Sequence, residues 1–277
     1  MSRHAPANQY VEPVAGSEVS APARWRTLDF ISDLHLQASE PATFAAWQRY
    51  MASTPADALF ILGDLFEVWV GDDITRAAGD PDGAFALQCQ QIIRATSARL
   101  PVYFMHGNRD FLLGDDFAKG CGMTLLPDPT VLDFDGQRGL LSHGDALCLD
   151  DVAYQQFRLQ VRNPAWQQAI LAKPLAERQA LARTLRAQSQ PRLADGASYA
   201  DVDANEAKAW LQANTASTLI HGHTHMPKDH VIDNSQQPVW RRLVLSDWDA
   251  KAQPPRLEVL RLQAGHAPRR VAVAPSA

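Results

Sequence analysis

Short apolar runs recur along the chain, each closed by glycine or polar residues. They are TLDFIS (27–32), ALFIL (58–62), PVYFM (101–105), RGLLS (138–142), STLI (217–220) and RRLVLS (241–246). Four to six residues bounded by breakers predict buried strands. Helical patterns over 41–53, 84–99 and 202–214 lie between several of them. This alternation predicts an α/β architecture, and no internal repeat is visible.

One stretch departs from the rhythm. Residues 151–192 contain no strand-like run and are dense in Gln, Ala, Leu and Arg. Tyr154, Phe157 and Val161, then Leu175, Leu181 and Leu185, fit helical faces broken at Pro164 and Pro174. Seven basic residues stand here against Asp151 and Glu177, in a chain of formal net charge −5. One reading is a solvated helical hairpin. The other is a basic, apolar-lined cap for an anionic, greasy ligand.

The bulk numbers bound the rest. With 277 residues, 46% hydrophobic and 21% charged, the chain is an ordinary globular mix. Its negative charge exerts no general pull on nucleic acid, so none is expected as a partner. Cys89, Cys121 and Cys148 are far apart and form no CxxC pair. They predict free thiols in a reducing compartment, not a zinc knuckle or a disulfide framework. No apolar run reaches the roughly 20 residues of a membrane-spanning helix. The N-terminus has acidic residues and prolines where a signal peptide would be apolar. The expected organisation is a disordered extension (1–24), a core in two parts (25–150 and 201–263), a helical cap insertion (151–200) and a flexible tail (264–277).

Chemistry collects after the strands. DLH follows the first, with Asp33 and His35. GDLFEVWVGDD follows the second, with Asp64. HGNRDFLLGDDF follows the third, with Asn108, Arg109 and Asp110. HGD then brings His143 and Asp145, and HGHTH brings His221, His223 and His225. Each piece alone is weak: a lone histidine beside a strand is usually a packing residue, and GD is usually a turn. Their order and placement carry the information, because the ends of strands in an α/β sheet are where sites assemble. Carboxylate, carboxamide and imidazole without thiolate suit divalent metals of intermediate hardness: Mn²⁺, with Fe²⁺ or Zn²⁺ as alternatives. The i, i+2 spacing of Asp33 and His35 would point both the same way past a strand end.

The five blocks, spanning residues 30–226, resemble the calcineurin-like metallophosphoesterase superfamily. The spelling FISDLHL, GDLFEVWVGDD, HGNRDFLLG and SHGDALCLDD is similar to its branch that acts on UDP-2,3-diacylglucosamine, a lipid nucleotide of lipid A biosynthesis. The resemblance implies a two-sheet β-sandwich core flanked by helices and a two-metal site. Asp33, His35, Asp64 and His225 would hold one metal. Asp64, Asn108, His143 and His223 would hold the other, with Asp64 bridging. Two such metals lower the pKa of a shared water and clamp a phosphate. Arg109 would bind the equatorial oxygens, and His223 or a neighbour in its turn would protonate or orient the leaving group.

By the same resemblance Asp151 and Ser189 contact substrate, with Tyr154 and Arg186 beside them. The protein would be cytoplasmic and peripheral on the cytoplasmic face of the inner membrane. His221, left over by the ligand pattern, is expected to pack and to tolerate Asn or Gln. Two departures stand out. The stretch after Ser189 has neither the Asn nor the Lys of the family pattern, although Arg192 offers a charge. Met226 stands where Arg is usual. The competing functions are a superfamily phosphodiesterase or nucleotide pyrophosphatase with a soluble substrate, and a metal-stabilised binding scaffold. The competing reading of Arg109 is a salt bridge to Asp110.

Overall fold

The six apolar runs become β2 (Thr27–Ile31), β3 (Ala58–Leu62), β4 (Val102–Met105), β7 (Gln137–Leu141), β8 (Thr218–His221) and β10 (Trp240–Val244). The computed structural model describes residues 16–77, 79–194 and 200–274, with side chains left out at 187–194. Most of these strands lack a polar face because both faces are covered. On β3, Phe60 and Leu62 point between the sheets, and Leu59 and Ile61 point to the helices.

Two mixed six-stranded sheets form the core. One adds β5 (Met123–Leu126), β11 (Glu258–Gln263) and β12 (Arg269–Ala272), in the order β12-β11-β2-β3-β4-β5. The other adds β1 (Ser17–Ser20), β6 (Thr130–Phe134) and β9 (Lys228–Asp233), in the order β1-β6-β7-β8-β10-β9. Phe30, Phe60, Leu132, Ile220 and Leu243 fill the space between the sheets. Helices α1 (Pro41–Ser53), α2 (Pro81–Ser97) and α3 (Asp115–Cys121) cover the outer face of the first sheet through Trp47, Ile93 and Phe117. The apolar helix α7 (Ala204–Ala213) covers the second through Trp210 and Leu211. The chain therefore has the α/β architecture, two mixed sheets flanked by helices, that its sequence blocks suggest.

The expected ends need correction. Residues 17–20 pair in parallel with β6 and are not a disordered extension. Residues 269–272 pair with β11 and are not a flexible tail. In both places backbone N–H and C=O groups are satisfied by an adjacent sheet edge, whatever the local composition. Residues 1–15 lie outside the described residues.

The cap is α4 (Val152–Val161), α5 (Pro164–Leu171) and α6 (Leu175–Ala194). Asp151 caps α4 and Asn163 caps α5, each accepting backbone N–H bonds. Pro164 sits at the first position of α5, where a missing N–H costs nothing.

A buried ion pair locks the first sheet to α1. Asp29 is fully buried and accepts from Arg261 Nε at 2.6 Å and Nη2 at 2.8 Å. Tyr50 and Thr54 of the α1 region donate to it at 2.9 and 2.8 Å. Removing the cation strands a buried carboxylate. Arg261→Met should therefore cost about 3–5 kcal/mol in chemical denaturation. A loss below about 1 kcal/mol would contradict this account.

Candidate metal centre

The site lies where the C-terminal ends of β2, β3 and β4 meet those of β7 and β8, and each strand must turn sharply there. Seven non-glycine residues among those described have left-handed φ, and five are expected ligands. They are Asp33 (52°), His35 (48°), Asp64 (53°), His223 (66°) and His225 (53°). Each such residue costs on the order of 1–3 kcal/mol and persists only where its surroundings over-determine it. Here neighbouring turns do so. Asp33 N–H donates to Gly63 O, and Leu34 and His35 N–H donate to Asp64 O. His223 N–H donates to Asp33 Oδ2 at 2.9 Å, and Arg109 N–H donates to Asp64 Oδ1 at 2.8 Å. Asp33 and His35 therefore converge through left-handed turns, not through the extended alternation their spacing suggested.

All seven expected ligands come together. His35 Nε2 is 3.3 Å from His225 Nε2, and His225 Nε2 is 3.4 Å from Asp33 Oδ1. Asp64 stands between the two halves, with Oδ2 4.0 Å from His35 Nε2 and Oδ1 3.8 Å from His143 Nε2. Asn108 Oδ1 is 3.0 Å from His143 Nε2 and 2.9 Å from His223 Nδ1. Glycine makes the close approach possible. A Cβ on Gly107 would fall 2.0 Å from Asp64 Oδ1, and one on Gly222 would fall 2.2 Å from Asp33 Oδ2.

The electrostatics fit cations. Asp33 and Asp64 are buried, and among the described residues Asp33 Oδ1 accepts no well-formed hydrogen bond, the His225 imidazole standing 3.4 Å away. Buried charge of this kind requires a partner or a metal. Burial opposes charge on His143, yet Asp64, Asp145 and Asp33 hold its pKa up at about 9. Its Nδ1–H faces Leu62 O at 2.9 Å, which leaves Nε2 as the ligand atom. Burial, helped by His143, pushes His223 down to about 3, so its imidazole is neutral and ready to ligate. Asp33, His35 and His225 form one potential ligand group, and Asp33, Asp64 and His143 a second.

Three acidic residues to which the motifs assigned no role organise this centre. Glu67, the last residue of GDLFE, is buried. It meets His35 Nδ1 at 3.0 Å, Arg186 Nη2 at 2.9 Å and Arg109 Nη1 at 3.6 Å. Its place three residues after Asp64 was the available signal. Asp110 accepts from Leu65 N–H at 2.7 Å and Gly107 N–H at 2.8 Å, tying two ligand turns together. Arg109 thus faces Glu67, and Asp110 binds backbone instead of Arg109. Asp145 accepts from Tyr154 Oη at 2.5 Å and Arg158 Nε at 2.9 Å. Burial alone would raise the pKa of Asp145, but Arg158 and Arg162 hold it well below the usual carboxylate range.

The cap's positive charge is accordingly committed in good part to the core. Arg158 pairs with Asp145, Arg178 with Asp73 and Arg186 with Glu67. Arg162 donates to Gly107 O at 2.8 Å. The Tyr154 ring lies 5.7 Å from that of His223, centroid to centroid. Asp151 is exposed and accepts from Tyr154 N–H at 3.0 Å. The side chains of Ser189 and Arg192 lie outside the described residues. His221 is fully buried, its Nδ1–H facing Gly222 O at 2.8 Å, and it belongs to neither ligand group.

Comparison with known proteins agrees with this geometry. A model of the calcineurin-like phosphoesterase family matches residues 26–227. The UDP-2,3-diacylglucosamine hydrolase of Chromobacterium violaceum is 49% identical over 233 residues, covering 80% of this chain and 90% of its own. The protein of that name from Escherichia coli is 44% identical over 222 residues, covering 79% and 90%. That from Stenotrophomonas maltophilia is 43% identical over 246 residues, covering 85% and 94%.

Two outcomes follow for this centre. Glu67→Gln should weaken Mn²⁺ binding by about 10–100-fold, as carboxylates behind ligating histidines do. Calorimetric titration of the metal-free protein measures it, and unchanged affinity would remove Glu67 from the site. His221→Asn should lose stability yet keep far more hydrolysis than His223→Asn, and equal losses would overturn that division.

Proposed function

The chain belongs to the calcineurin-like phosphoesterase family, and from that premise we propose that it hydrolyses the diphosphate bond of UDP-2,3-diacylglucosamine, releasing UMP and 2,3-diacylglucosamine 1-phosphate. What supports this reading is the convergence of the seven expected ligands beside a helical cap, in a chain 43–49% identical to proteins named UDP-2,3-diacylglucosamine hydrolase. Asp33, His35, Asp64 and His225 would hold one divalent cation, and Asp64, Asn108, His143 and His223 the other. Mn²⁺ suits this mixed oxygen and imidazole set, with Fe²⁺ or Zn²⁺ as alternatives. When bound, the pair makes hydroxide available near neutral pH and supplies charge to phosphate oxygens.

The chain's own groups do the rest. Arg109 offers paired N–H donors to the equatorial oxygens of the attacked phosphate, and Glu67 keeps its guanidinium oriented. His223, held neutral, would orient the leaving group, and protonation would fall to a neighbour in its turn. Tyr154, held by Asp145, borders His223 on the cap side. Asp151, Arg186 and Ser189 complete the cap-side contacts in this reading. The half-buried Phe157 and Trp166 give the cap apolar surface for acyl chains.

A peripheral position on the cytoplasmic face of the inner membrane fits the same reading, as does a place in lipid A biosynthesis. Among the described residues no helix is long and apolar enough to cross a membrane. Val152 and Leu159, one heptad apart on α4, are 62% and 63% exposed, and exposed apolar side chains on one helix face are what a membrane surface retains.

The test is UMP release from the lipid nucleotide with added Mn²⁺ and with chelator. Release should require the metal and should be lost in Asp64→Asn while the fold persists by circular dichroism. Faster turnover of a soluble UDP-sugar would favour the soluble-substrate reading, and metal-independent or absent release would sink the proposal.

A further inference from the structure

A cleft of about 360 Å³ opens from the metal centre, and among the described residues none from the cap lines it. His35, His225 and Arg109 lie at its inner end. One wall is the segment from Leu34 to Thr43, leading into α1. The other is the 247–256 loop between β10 and β11. That loop is built to hold its place. Trp248 N–H donates to Asp33 O at 3.0 Å, and its indole N–H donates to Glu258 O at 3.2 Å. Arg256 is committed to Asp247 and Asp249, which fixes both carboxylates.

Resting on the proposed function, we propose that this cleft holds the uridine half of the substrate and retains UMP after cleavage. A diphosphate cut at the metal centre carries two unlike substituents, and the acyl-bearing one matches the apolar cap. Acyl chains would desolvate the cleft's charged groups without compensation, whereas a nucleoside can hydrogen-bond to them. The charges are graded to suit. Arg109 at the inner end offers guanidinium donors to phosphate, and the carboxylates of Glu40 and Asp249, more exposed on the walls, would accept from a ribose diol. Gln37 lines the wall half-buried, and its carboxamide has no partner among the described residues. A carboxamide both donates and accepts, which complements the N–H and C=O edge of a uracil. Across the rim Lys251 Nζ pairs with Glu40 at 2.8 Å, with side chains 58% and 37% exposed. An exposed pair contributes little, so exchanging it for ligand contacts costs little.

The experiment uses the full chain with Mn²⁺ and three probes: UMP, ribose 5-phosphate and 2,3-diacylglucosamine 1-phosphate. Wild type should bind UMP more tightly than ribose 5-phosphate by calorimetry. Gln37→Ala should remove that difference, and Glu40→Ala should raise the UMP inhibition constant at least about 10-fold, the effect of one or two lost hydrogen bonds. Inhibition by the lipid phosphate should stay unchanged in both, with unfolding midpoints near wild type. Unchanged UMP binding in both variants would overturn the proposal, as would selective weakening of the lipid phosphate. If wild type releases UMP and the variants bind it normally, only the cleft assignment fails. If wild type releases none, the functional reading fails with it.

Discussion

Buried carboxylate is the constraint around which this molecule is organised. Asp33, Asp64 and Asp145 are all removed from water at the meeting point of two sheets. None is tolerable alone, because desolvated charge needs a fixed partner. Imidazoles answer Asp33 and Asp64, and arginines of the cap answer Asp145. The left-handed turns, the glycines and the interlocking backbone hydrogen bonds all serve to bring those partners within reach. Cations bound by such a set stabilise the fold and prepare the chemistry through the same contacts.

The cap belongs to that arrangement and is not an appendage. Its arginines neutralise core carboxylates next to metal-ligand turns, so its seating and the centre's geometry depend on one another. Glu67 makes the link most directly, since it touches His35, Arg109 and the cap's Arg186. A basic segment that looks like a ligand-attracting surface is, in the folded protein, largely a fastening. What remains for substrate is its apolar side and the few polar groups beside His223.

The site consequently has two unlike flanks. One is covered by half-buried apolar side chains of the cap. The other is a polar cleft built from the approach to α1 and the loop before β11. On the proposed function, these flanks would take the acyl and uridine halves of the substrate.

The sequence pattern alone predicted six of the strands and helices α1, α2 and α7, and its motifs put the seven expected ligand positions at strand ends. Apolar runs as dense as ALFIL have no conformation but a doubly covered strand, and motifs at strand ends have only one place to meet. Strands β1, β5, β6, β9, β11 and β12 were not legible, because short, polar or alternating segments such as KDHVID take their form from the neighbour they pair with. Nor were the left-handed turns at Asp33, His35 and Asp64, which intrinsic preference disfavours and only surrounding contacts maintain. Tertiary structure alone decided which acids serve the centre. Glu67 and Asp145 are ordinary letters in GDLFE and HGD until folding buries them against partners more than a hundred residues away, in the case of Glu67 and Arg186. Local pattern encodes which face is apolar and where a turn falls. The pairing of buried charges depends on distance in space, which no local pattern contains.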